Sequence, residues 1–276
     1  VTPITLLRQF RAEFVKARGR GLYHGALGVL LVFAILPLPA ALAATFDKNL
    51  VSWASDLASF PGCLWNTTRL AHMVLPLLVA IVAAGCVGGE YSSGTWKMTL
   101  PRTATRASAL LAKFLASLVL TLGGLAFALV FTVAMGAVGS VLLGQPFVPE
   151  PVGLGAGDVG RILAYFVLDF AFLIILAMFA AVLTRSLIGG AMLGYAAQHL
   201  LRMLTFLPGG WLSPMTNLDN LRAHWVPMSH FRVQDVQSAL GRAVSWQTSL
   251  ATVLFFFAAF GLLSAWLFEK RDLASE

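Results

Sequence analysis

Residues Gly88–Phe114 read GGEYSSGTWKMTLPRTATRASALLAKF, a polar and cationic insert between two long apolar runs. The run before it is Leu70–Gly88 and the run after it is Ala109–Leu143. A hydrocarbon layer about 30 Å thick needs roughly 20 apolar residues of helix, so each flank is long enough to cross a membrane. Four more stretches qualify: Ala26–Thr45, Ile162–Thr184, Leu187–Leu207 and Ser249–Phe268. Composition agrees. Of 276 residues, 58% are hydrophobic and 11% charged, and the mean hydropathy is +0.82, whereas soluble domains are about 25% charged. A bilayer core offers the backbone no hydrogen bonds, which leaves helices or a closed barrel. Continuous Leu, Ala, Val and Phe runs lack the alternation of barrel strands. The expected fold is therefore an all-α integral membrane protein, one domain over 1–276 with six transmembrane helices. The third run exceeds a single span and is expected to tilt or to extend beyond the bilayer before Pro146.

The formal charge is +7, and its placement gives it meaning. Arg8, Arg11, Lys16, Arg18 and Arg20 precede the first span; Lys97, Arg102, Arg106 and Lys113 lie between the second and third; Arg185 lies between the fourth and fifth; Lys270 and Arg271 follow the sixth. The opposite side holds fewer basic residues in longer loops: Lys48, Arg69, Arg161, Arg202, Arg222, Arg232 and Arg242. By the positive-inside rule both termini and the Gly88–Phe114 loop are cytoplasmic, in a multi-pass protein of the inner (plasma) membrane. A basic stripe with interleaved aromatics is missing, so nucleic acid is not an expected partner. Thr2–Tyr23 carries Leu6, Leu7, Phe10, Phe14 and Val15 near helical spacing among basic residues. That is the pattern of an amphipathic helix (1–24) in the headgroup layer rather than of a cleaved signal.

Several chemistries lack their residues. Cys63 and Cys86 fall near opposite faces of the membrane, too far apart for a disulfide. His24, His72, His199, His224 and His230 form no metal-binding spacing, and no GxxxxGK[ST] loop or GxSxG elbow occurs. The chain is not expected to be an enzyme or to bind a cofactor; if ATP drives it, another chain binds the nucleotide.

Within the insert, Gly88-Gly89 closes the second span, a polar segment leads to Trp96, Pro101 breaks the chain, and Arg102–Lys113 enters the third span, predicting a helix–break–helix elbow. The succession Glu90, Gly94-Thr95, Lys97, Leu100, Pro101, Arg106 and Lys113 resembles the first cytoplasmic loop of ABC-2 type permeases, the membrane subunits of ATP-binding cassette exporters. The six spans, the amphipathic start, the long segment 208–248 and the close Phe268-Glu269-Lys270-Arg271-Asp272 accord with it. The resemblance implies a coupling helix within 88–108 that docks on an ATPase subunit holding ATP and Mg, with a second permease copy, identical or related, completing the exporter. The expected coupling residues are Glu90, Tyr91, Gly94, Thr95, Trp96, Lys97, Met98, Pro101 and Arg102. Trp96 or Met98 would fill a partner pocket, while Glu90, Lys97 and Arg102 orient it. The cargo class would be amphipathic, a drug, peptide antibiotic or lipid moved outward by alternating access, with Phe127, Phe131, Asp169, Phe170 and Phe172 as candidate pathway residues.

Asp169 lies inside the fourth span, where a charge costs at least a few kcal/mol unless paired or hydrated. A bond to Arg202, Gln198 or His199, a position nearer the outer interface, or a proton pathway would each offset that cost. The outer segments 47–69 and 208–248 carry interfacial Trp residues and are expected as surface or re-entrant helices. Besides the exporter, two further readings stand: a proton-coupled carrier relying on Asp169, and a membrane scaffold without transport.

Overall fold

The computed structural model describes residues 3–96, 105–148, 156–207, 210–226, 236 and 243–270, and among them the only regular secondary structure is helical. The order is α1 (Pro3–Arg18), α2 (Gly21–Ala34), α3 (Pro37–Phe46), α4 (Val51–Ala58), α5 (Gly62–Ser92), α6 (Arg106–Leu142), α7 (Ala156–Thr184), α8 (Leu187–Met203), α9 (Pro214–Trp225) and α10 (Trp246–Lys270). Among the described residues, five segments are long and apolar enough to cross a membrane: Gly21–Phe46, Val74–Ser92, Arg106–Leu142, Gly157–Thr184 and Trp246–Lys270. The chain is thus an all-α, multi-pass membrane protein. The expected span Leu187–Leu207 forms a helix of 17 residues followed directly by a 3-10 turn, Leu204–Phe206, and is not among these five.

Local chemistry sets the helix ends. Pro37 has no N–H to donate, so the first span breaks at Ile35-Leu36 into α2 and α3. The third apolar run is one helix of 37 residues. It opens with a reciprocal cap, in which the Ser108 N–H donates to Thr105 Oγ1 at 3.0 Å and the Thr105 N–H to Ser108 Oγ at 3.3 Å. It closes at Gly144, whose φ of 64° is left-handed, with the Gln145 N–H donating to the Ser140 carbonyl at 3.0 Å. The outer segment expected over 47–69 holds a 3-10 turn, Lys48–Leu50, and α4, while its last residues already belong to α5.

The chain divides into two compact units, Val1–Gly19 with Val79–Leu120 and Gly155–Glu276, and Arg20–Leu78 with Thr121–Leu154. In the second unit, Ala40, Ala44, Ala54 and Leu57 form a small core against Leu50, Val51 and Leu143. Gly136 and Gly139 of α6 approach Ala58 there, and Ser140 Oγ donates to the Ala58 carbonyl at 3.2 Å.

In the first unit, α7 and α8 pack through small residues. A Cβ on Gly190 would lie 2.6 Å from the Ala181 Cα, and one on Gly194 would lie 2.6 Å from the Ala177 Cα. Close backbone approach of this kind drives helix association where lipid supplies no hydrophobic force. Against these helices and α10 lies α9, capped by Ser213. Every residue from Pro214 to Leu221 is buried although four of them, Thr216, Asn217, Asp219 and Asn220, are polar.

Gly190→Ala and Gly194→Ala should each destabilise the protein by about 1–3 kcal/mol through overpacking. Gly28→Ala, where a Cβ would meet nothing within 4 Å, should not lower stability. Thermal unfolding of the detergent-solubilised variants measures both.

Candidate functional site

The polar insert from Gly88 begins inside a helix. α5 runs on through Gly88-Gly89 to Ser92, so Glu90 sits in its last turn rather than in a loop. A Cβ on Gly88 would lie 2.6 Å from the Ser186 and Leu187 backbone, which explains a glycine there. The helix ends in a Schellman arrangement: the Thr95 N–H donates to the Glu90 carbonyl at 3.1 Å and the Gly94 N–H to the Tyr91 carbonyl at 3.2 Å. Gly94 is left-handed, with φ 64°, a conformation a side chain disfavours. The Gly94-Thr95 pair of the motif is therefore a helix stop.

Glu90 is fully buried and Lys113, from the second turn of α6, is 1% exposed. Lys113 Nζ donates to Glu90 Oε1 at 2.8 Å and to Glu13 Oε2 at 2.6 Å, and Lys16 Nζ also pairs with Glu90 Oε1. Two acids and two bases from α1, α5 and α6 thus alternate in one cluster of zero net charge. Removing either buried ion from water costs several kcal/mol, which pairing in good geometry offsets.

Aromatic rings close this cluster. The Trp96 ring centroid lies 5.0 Å from Lys113 Nζ and 4.6 Å from the Phe268 ring, with Tyr91 5.8 Å from Trp96 and perpendicular to Phe268. Trp96 is 3% exposed. Arg106 then donates to the Phe268 and Glu269 carbonyls at 3.2 and 3.0 Å, placing a cation at the α10 C-terminus, where the helix dipole favours it. Of the residues expected to couple to a partner, Glu90 and Trp96 are buried and fasten the turn to α1, α6 and α10. Ser92, Ser93 and Gly94 are the exposed residues of the turn. Tyr91 and Thr95 are half-buried. Lys97, Met98, Pro101 and Arg102 lie outside the described residues, as do Leu100 and most of segment 227–242.

The candidate pathway residues fall in both units. Phe127, 54% exposed, and Phe131 belong to the second unit; Asp169, Phe170 and Phe172 belong to the first. Phe170 and Phe172 are buried, stacked on Phe166 and perpendicular to Phe260. Asp169 makes no hydrogen bond or ion pair among the described residues. The packing of Gly190 on Ala181 and of Gly194 on Ala177 sets Arg202 at the level of Asp169, and Asp169 stands in the fields of Asp219, Arg222 and Arg202. Arg202, one of the three partners expected for Asp169, instead bonds Asp219, a carboxylate of α9, at 3.1 Å. Burial pushes the Asp219 carboxyl up, and Arg202 and Arg222 pull it back.

Sequence reasoning missed Glu13, Lys16 as an ion-pair partner, and Asp219. The signal for Glu13 was present: it is the single acid of α1, and a lone acid among bases near a buried lysine is a natural counter-ion.

Glu90→Ala and Lys113→Ala should each cost about 3–5 kcal/mol by leaving a buried charge uncompensated. The double variant, in which Glu13 and Lys16 still balance, should cost less than the sum by at least about 1 kcal/mol. A double-mutant cycle of denaturation in detergent reads this; strict additivity would mean the two side chains do not share one cluster.

No curated protein matches the chain. A family model described as a protein of unknown function, DUF2705, matches residues 52–274. That match contains Glu90, Trp96, Lys113 and Phe268 and leaves α1 outside it; the chain belongs to the DUF2705 family.

Proposed function

We propose that this chain is the membrane-spanning permease subunit of an ATP-driven exporter of the ABC-2 type, working with a separate ATPase subunit and a second permease copy. The observation that supports this reading is the fastening of the α5 turn. A loop that receives force from a soluble motor moves a membrane domain only if it is rigidly tied to the helices behind it. Residues 90–96 are tied to α1 and α6 by the ion pairs of Glu90 and to α10 by the contact of the Trp96 and Phe268 rings. The basic residues around this turn and before α2 support a cytoplasmic position for it, where ATP is available. ATP-driven closure of the ATPase subunits would press on the exposed part of the turn, and the ion cluster would pass the displacement to three helices at once. The cargo class is an amphipathic molecule moved outward by alternating access.

A second reading, a proton-coupled carrier, has one observation in its favour: Asp169 lies within a span without a hydrogen bond among the described residues, beside an arginine already paired to Asp219.

One experiment separates them. Cys63 and Cys86 are both buried, and burial pushes the Cys63 thiol up to about 11, so a new exposed cysteine is labelled selectively. Ser92→Cys, carrying a photo-crosslinker in native membranes, should capture an ATP-hydrolysing chain, and Ser245→Cys should not. Equal capture at both positions, or none at Ser92→Cys with transport abolished by Asp169→Asn, would move the assignment to the carrier.

A further inference from the structure

The ion cluster uses one side of α1 and leaves the other outward. At 3.6 residues per turn, Leu6, Gln9, Phe10, Glu13, Lys16 and Ala17 share the inward face, and all are buried or half-buried. Leu7, Arg8, Arg11, Val15 and Arg18 fall on an opposing arc of about 100° and all are exposed. Leu7 is 66% and Val15 64% exposed. The three arginines make no hydrogen bond or ion pair among the described residues. The single acid of the helix, Glu13, is turned inward onto Lys113. The outward face therefore carries three uncompensated positive charges with two apolar side chains set among them, along a helix of 16 residues.

From this arrangement we infer that the outward stripe of α1, Leu7-Arg8-Arg11-Val15-Arg18, is a binding surface for anionic phospholipid headgroups. Charge complementarity and continuity argue for lipid over an acidic protein segment. The helix ends at Arg18, and the apolar helix of the first span begins at Gly21, so the short connection keeps the end of α1 within reach of the membrane surface. Guanidinium groups donate in a planar fork that matches phosphate oxygens. Leu7 and Val15, spaced two turns apart between them, suit the acyl boundary just below the headgroups, where an amphipathic helix buries its apolar side chains. The stripe is also held in place in advance: two ion pairs on the opposite face fix the rotation of α1 about its axis, so binding does not first have to order it. The inference does not depend on whether an ATPase partners the chain.

The full chain in neutral detergent, titrated with phosphatidylglycerol and phosphatidylcholine of matched acyl chains, tests it by native mass spectrometry. Each basic residue at an anionic surface contributes about fivefold, so the Arg8→Gln/Arg11→Gln/Arg18→Gln variant should lose roughly a hundredfold of the preference for phosphatidylglycerol. A Lys48→Gln/Arg161→Gln control, which removes exposed charge elsewhere, should keep that preference, and both variants should unfold at the wild-type temperature. An unaltered preference in the triple variant, or an equal loss in the control, overturns the assignment. So does displacement of the lipid by soluble glycerol 3-phosphate, which would mark a free-phosphate site, or by an acidic peptide, which would mark a protein-docking face.

Discussion

The buried pair of Glu90 and Lys113 is the constraint around which the first unit is organised. Neither side chain can be removed from water alone, so wherever α5 ends and α6 begins, a partner must be within hydrogen-bond reach. Oε1 of Glu90 serves both Lys113 and Lys16, and Lys113 serves both Glu90 and Glu13. The rotation of α1, the end of α5 and the start of α6 are consequently set together. The packing of Trp96 between Lys113 and Phe268 adds the end of α10 to the same junction. Polar chemistry here provides specificity of arrangement rather than mere cohesion.

The apolar spans were legible because the bilayer leaves few alternatives, and hydropathy reads them directly. Their ends were less legible. Gly88-Gly89 reads as a helix stop, yet the helix passes through the pair to Ser92, because Gly88 answers to a neighbouring backbone at Ser186 and Leu187 and the left-handed glycine of this turn is Gly94. The importance of Glu90 was legible from its neighbours in sequence, but its direction was not. That direction is decided by Lys16, 74 positions away, and by Lys113, and no local pattern encodes a meeting of residues so far apart. Trp96 is a similar case: an aromatic in a polar stretch suits a partner pocket or an intramolecular one equally well, and its contact with Phe268, at the other end of the chain, is one that no local pattern encodes.

Segment 208–248 shows where periodicity fails. α9 is buried all round with half of its buried residues polar, so it has no apolar stripe to detect. Its stability comes from matched partners: Asn220 Nδ2 donates to Ser249 Oγ at 2.8 Å and to the Val244 carbonyl at 3.1 Å, and Ser249 Oγ donates to Asn217 Oδ1 at 2.7 Å. Asn217 Nδ2 donates in turn to the Trp211 and Ser213 carbonyls. Such a network is legible only once α10 is known to lie alongside.

That dependence bears on how the protein is made. A helix of 12 residues reaches about 18 Å, too short to cross the hydrocarbon layer, and its asparagines and aspartate resist entering lipid unaccompanied. It can take its place only against α7 and α8 on one side and α10 on the other, and α10 leaves the ribosome after it. Insertion of this chain is therefore not a strict succession from first helix to last. A nascent chain halted before Trp246 lacks the Ser249 hydroxyl that α9 needs, and must hold that helix in water or at the membrane surface until the final span arrives.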